Sequence, residues 1–234
     1  MSSAAEINQE KNPTGATRLE NIADSIRQDF DAQTAARDAA LAQTRQLTRH
    51  CAHAIRAIHR GEKENAQAEL DAAHQLAEVL IAGLKDFPDL FFAGYTQDAL
   101  KEYAEASIVS ALVQGGELPS PEDLEIESST YLQGLAEAAG ELRRRCLDIL
   151  RHGHSAEAER MLNMMDDIYA VLVTMDYPDA VTRGLRRLTD ICRSLVERTR
   201  GDMTISLRQQ RLETSLQKLD DQLSGHDKPS PKAE

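Results

Sequence analysis

Two acidic pairs at helical spacing are the residues of this chain best suited to chemistry. Glu102 and Glu105 lie in Ala99-Leu-Lys-Glu-Tyr-Ala-Glu-Ala106, and Glu137 and Glu141 lie in Leu135-Ala-Glu-Ala-Ala-Gly-Glu-Leu142. Residues three or four apart share one helix face, so each pair aims two carboxylates the same way. Like charges so placed cost a helix roughly 0.2–0.5 kcal/mol per pair. The bland reading is a solvated acidic face. The neighbours Tyr103, Ala104, Ala106, Leu135, Ala136, Ala138 and Ala139 predict instead that both faces pack against other helices. Four converging carboxylates would form a hard-oxygen cage for Mg²⁺ or Mn²⁺, suited to work on phosphate esters.

A second set is basic. At 100° per residue, Arg45, Arg49, Arg56 and Arg60 fall within an arc of about 60°. Beside them runs an apolar arc of Leu19, Ile22, Ile26, Phe30, Leu41, Leu47, Ile55 and Ile58. The arginines are either a solvated face or a ladder of guanidinium groups along a phosphate backbone. A formal charge of −12 argues against a protein that coats nucleic acid with its whole surface. One concentrated stripe on an acidic chain favours the ladder. Aromatics make up 4% and Trp is absent, so base stacking on aromatic platforms would be sparse.

The elements that must position these groups all read as helices. The 234 residues hold 12 Gly and 7 Pro, and Ala and Leu dominate. Thr17 to Glu20 reads as a capping box opening a first helix to His59, stopped at Gly61. At 1.5 Å per residue it spans roughly 60 Å, too long for one compact bundle to bury, which predicts an oligomer. Further helices are expected over 62–84, 96–114, 129–151, 155–175 with Ser155 as N-cap, from Pro178 to Arg200, and 202–223. The expected fold is therefore all-α, a seven-helix bundle. One domain covers 16–224, between disordered ends at 1–15 and 225–234.

Other chemistries find no support. There is no phosphate-cradling glycine loop, dinucleotide fingerprint or nucleophile elbow. A ferritin-like centre needs Glu-x-x-His pairs, and Asp71-Ala-Ala-His74 is the nearest approach. His50, Cys51 and His53 lack a fourth zinc ligand. Cys51, Cys146 and Cys192 are too few and too scattered for a disulfide frame and read as reduced thiols, with Cys146 and Cys192 in the core. Met161, Met164 and Met165 read as core filling. No secretion signal opens the sequence and no apolar run reaches the ~20 residues a bilayer needs. A cytoplasmic protein with no membrane partner is expected.

Taken together, three segments resemble the translin superfamily over roughly residues 37–220. Thr44 to Arg60 is similar to that family's long first helix, down to the closing His59-Arg60. Asp98 to Ala106 resembles its "LQEYVEA" segment, and Tyr131 to Cys146 its "YLLGVADLTGELMRMC" segment. The resemblance implies a seven-helix bundle assembling into a hollow octamer with sites facing inward. The family has a binding branch, translin, and a catalytic branch, translin-associated factor X, which supplies the acids of a Mg²⁺-dependent ribonuclease on single-stranded RNA. The catalytic branch carries Glu-x-x-Glu on one helix and Asp-x-x-x-Glu on another. This chain is similar to that branch, with Glu137 standing for the aspartate and longer by one methylene. The implied assignment gives Glu102, Glu105, Glu137 and Glu141 to metal and catalysis, with Mg²⁺ as cofactor and Mn²⁺ as substitute. Arg45, Arg49, Arg56, His59, Arg60 and Arg144 fall to single-stranded RNA, with single-stranded DNA a second candidate. A non-catalytic binding protein with structural carboxylates is the alternative.

Overall fold

A computed structural model describes residues 15–153 and 155–226. Among them are eight helices and no strand: α1 Gly15–Arg60, α2 Lys63–Gly83, α3 Pro88–Phe91, α4 Gly94–Gln114, α5 Ser128–Leu150, α6 Ala156–Val173, α7 Asp179–Thr182 and α8 Leu185–His226. Six are long. The single turn α3 falls where a connection was expected, whereas α7 is the first turn of the helix expected from Pro178 to Arg200, cut off from α8 by Arg183 (φ +51°) and Gly184 (φ +84°). The termini expected to be disordered fall, but for a residue or two at each helix end, outside the described residues.

Local chemistry sets most boundaries. Gly61 (φ +72°) and Gly115 (φ +74°) take the left-handed conformation that ends α1 and α4. Ser155 caps α6 by accepting from the Ala158 N–H. Two further expectations are corrected. The chain is already helical at Gly15, so Thr17 lies inside α1 and is not its cap. The break expected near Arg200 is absent, and α8 runs through Gly201 without interruption. Arg143 of α5 explains this, donating to Thr199 Oγ1 at 2.8 Å and to Asp202 Oδ2 at 2.9 Å, on either side of the glycine. With Thr199 and Met203 buried as well, packing outweighs the roughly 1 kcal/mol that a helical glycine costs.

In the bundle, α1 packs on α2 and α4, α4 on α5, and α5 also on α6 and α8. Leu47, Cys51, Leu80, Leu100, Ile108, Leu142, Met161 and Met165 fill the core. Cys51, Cys146 and Cys192 are free and buried. Both long helices outrun this core. The first buried residue of α1 is Ala40, and Leu19, Ile22, Ile26 and Phe30 lie exposed before it. On α8, Ile205, Leu212, Leu216, Leu219 and Leu223 are likewise exposed. No helix among the described residues is long and apolar enough to cross a membrane.

Candidate functional site

The carboxylates meet beside a close approach of α4 and α5. A Cβ added at Gly134 would stand 2.8 Å from Ala104 Cβ, 2.9 Å from the Lys101 carbonyl oxygen and 3.0 Å from the Glu105 backbone nitrogen. Only glycine fits there. The contact lies one turn before Glu137 and against the turn that carries Glu102 and Glu105. Thr130 strengthens it, donating to Gln97 Oε1 at 2.5 Å.

A carboxylate oxygen from each of Glu102, Glu105 and Glu137 lies within 4.8 Å of the others. Glu105 is the innermost, 8% exposed, and makes no hydrogen bond or ion pair among the described residues. Burial, then the charges of Glu102, Glu137 and Glu141, push its carboxyl up to about 8, with only Lys101 opposing them. A carboxylate crowded by like charges and lacking a donor is relieved either by a proton or by a cation.

Glu141, the fourth acid, belongs to a different environment. It accepts a hydrogen bond from His59 Nε2 at 2.5 Å and lies 3.4 Å from Arg144 Nη1. The His59 bond is the largest influence holding it below the usual carboxylate range, against burial and with help from the His59 and Arg144 charges. Neighbouring acids are thus set apart: without a cation, Glu105 is largely protonated at neutral pH while Glu141 is ionised.

Sequence reasoning missed Lys101. Its ammonium is 2.7 Å from Glu137 Oε2, 2.9 Å from Glu137 Oε1 and 3.4 Å from Glu102 Oε1. A lysine beside a glutamate on a helix reads as surface, and only the packing of α5 turns it inward. His59 also departs from its expected place. Its side chain is 4% exposed, so it reaches Glu141 rather than a ligand at the surface, and its Nδ1 is buried without a partner. Cys51 lies under the site, its thiol pushed far up by burial and by the Glu102 and Glu105 charges.

The arginine row is exposed along α1 at Arg45, Arg49, Arg56 and Arg60. Arg60 is 3.9 Å from Glu62, and the other three have no acidic partner among the described residues. Arg45 and Glu102 line one cavity of about 360 Å³, with Thr44, Thr48, Tyr95 and Asp98. The row therefore begins at the rim of the carboxylate site. His50 and His53 do not assemble with Cys51, which points into the core. They face Glu69 of α2 instead, at 2.6 Å and 3.5 Å.

The fold has solved counterparts. The complex of AfC3PO with duplex RNA superposes with a TM-score of 0.74 at 34% identity, covering 81% of this chain and 96% of that one. AfC3PO alone gives 0.73 at 33% identity, with the same coverage. Apo-NeC3PO gives 0.72 at 19% identity, covering 78% and 96%, and shares the fold. The uncharacterized protein MJ0175 of Methanocaldococcus jannaschii is 32% identical over 186 residues, 78% of this chain and 82% of its own length. No protein-family model matches. The all-α bundle, the long first helix and the identity shared with the translin-family C3PO proteins agree, and the chain belongs to the translin superfamily.

Proposed function

We propose that this protein is a metal-dependent endoribonuclease acting on single-stranded RNA. The observation that carries the reading is Glu105, buried without a partner and gathered with Glu102 and Glu137 within 4.8 Å. An all-carboxylate donor set suits Mg²⁺ or Mn²⁺, so the residues fit the metal that the family implies. When bound, such an ion supplies the polarising charge that phosphate-ester hydrolysis needs.

The chain's own residues do the rest. Glu102, Glu105 and Glu137 hold the ion, and Gly134 keeps their helices close enough to share it. Glu141, fixed and ionised by His59 and Arg144, completes the acidic ring. Arg45 at the rim takes a backbone phosphate, and Arg49, Arg56 and Arg60 extend that track along α1. AfC3PO, of the same family, has been seen with duplex RNA, which supports RNA as the polymer. The exposed stripes on α1 and α8 support a closed homo-oligomer, an octamer on the family pattern, with the arginines inside and the net negative charge outside. Three buried free thiols suit the cytoplasm.

One observation favours a non-catalytic binding protein. Lys101, His59 and Arg144 already neutralise Glu137 and Glu141, as structural carboxylates would require. A single assay separates the two readings. The purified protein is offered labelled single-stranded RNA, single-stranded DNA and duplex RNA, with Mg²⁺ or with chelator. Mg²⁺-dependent cutting of single-stranded RNA, abolished in Glu105→Gln while the oligonucleotide is still retained, supports the nuclease. Retention without cutting under every condition leaves a binding protein.

A further inference from the structure

Resting on the metal-site reading above, we propose that Lys101 is the resident cation of the carboxylate site, and that a divalent ion enters by displacing it from Glu137. The ammonium holds both oxygens of Glu137, at 2.7 Å and 2.9 Å, and reaches one oxygen of Glu102 at 3.4 Å. These are the lone pairs a metal would need, because Mg²⁺ binds carboxylate oxygen at about 2.0–2.1 Å. An ion ligated by Glu137 and Glu102 would sit within a few ångströms of Nζ, where two positive charges repel strongly. The two cations therefore exclude one another.

What Lys101 leaves undone also points to exchange. It pairs with Glu137 and Glu102, yet Glu105, deepest of the three, has no partner. A lysine holds its charge at the end of a flexible stem, and its head prefers water. Here it is 17% exposed, so a path to solvent exists. Removal of the ammonium from Glu137 frees the outer ligands, and the incoming ion gains the inner one that the lysine never engaged. Lys101 thereby keeps the empty acidic site folded and sets how much metal is needed to fill it.

The test is direct titration of the metal-free protein with Mn²⁺ by calorimetry, for wild type, Lys101→Met and Lys101→Gln, alongside melting curves in chelator and in Mn²⁺. Both substitutions should tighten Mn²⁺ binding by at least about tenfold, since each removes a competing charge. They should also lower the melting temperature in chelator and enlarge the rise that Mn²⁺ produces. Glutamine keeps a polar, hydrogen-bonding head one atom shorter, so it reports even if methionine disturbs folding. Mn²⁺ binding by the variants but not by wild type would support the proposal in its strongest form. Equal or weaker binding by the variants would overturn it while leaving the metal site standing. Absence of Mn²⁺ binding in all three proteins would remove the exchange and the metal-dependent reading together.

Discussion

Glu105 and Glu141 share a residue type and one small region of the bundle, yet burial of the first and the His59 bond to the second drive their protonation in opposite directions. This has a measurable pH signature. Glu105 rises in the folded protein from an ordinary 4.5 to about 8, so its protonated form favours folding. That contribution is complete below pH 4.5 and is lost as pH climbs through about 8, costing the metal-free protein on the order of a few kcal/mol. Glu141, lowered by His59, contributes in the opposite sense: its stabilisation is present above pH 4.5 and fades as pH falls below. Melting curves in chelator from pH 5 to 9 should show Glu105→Gln gaining on wild type as pH rises. A constant difference across that range would mean Glu105 is not the strained acid described. The two acidic pairs were legible in the sequence because helical spacing is a local property. Their partners were not: Lys101 and His59 face the acids only through the packing of α4, α5 and α1, and neither contact leaves a trace in residue order.

At the level of elements, the carboxylate site depends on how near α4 and α5 can come, and Gly134 sets that distance. Gly134→Ala places a methyl group under 3 Å from the Lys101 carbonyl oxygen, a backbone atom that cannot swing aside. Such overpacking costs about 1–3 kcal/mol. The helices should separate, lowering the melting temperature and weakening Mn²⁺ binding together. Gly140 on the same helix is the control, because an added Cβ there meets only Leu195 Cδ1 at 4.0 Å. Gly140→Ala should leave metal binding unchanged and stabilise the helix by up to about 1 kcal/mol. Equal effects of the two substitutions on Mn²⁺ binding would show that close approach at Gly134 is not what builds the site. The helices themselves were largely readable, since Ser155, Gly61 and Gly115 act through adjacent backbone. Gly201 misled because its fate is decided by Arg143, 58 positions away in the chain and in contact with α8 on both sides of it. Gly134 gave no signal, for a close helix crossing depends on what lies opposite.

For the whole molecule, the decisive fact is the mismatch between helix length and core. The 46 residues of α1 extend roughly 70 Å, but burial begins only at Ala40. Exposed apolar stripes on both α1 and α8 should bury against further copies of the chain, so light scattering should return a closed oligomer of several subunits. Leu219→Glu together with Leu223→Glu should reduce its mass while helix content persists. A monomer at micromolar wild-type concentration would leave the stripes unexplained. The continuity of α1 has one more consequence. One unbroken rod carries the overhanging Leu19, Ile22, Ile26 and Phe30 at one end, and further along it Thr44, Arg45 and Thr48 at the mouth of the acidic site. A lever gripped at one end has less freedom at the other, so subunit contact at the overhang restrains the part of the rod where RNA is proposed to bind. Any coupling between them is reciprocal: whatever assembly does to oligonucleotide affinity, the oligonucleotide does to assembly by the same factor. Titrations of a fluorescent oligonucleotide should steepen at low protein concentration, as though the chain counted its own copies before committing to a ligand.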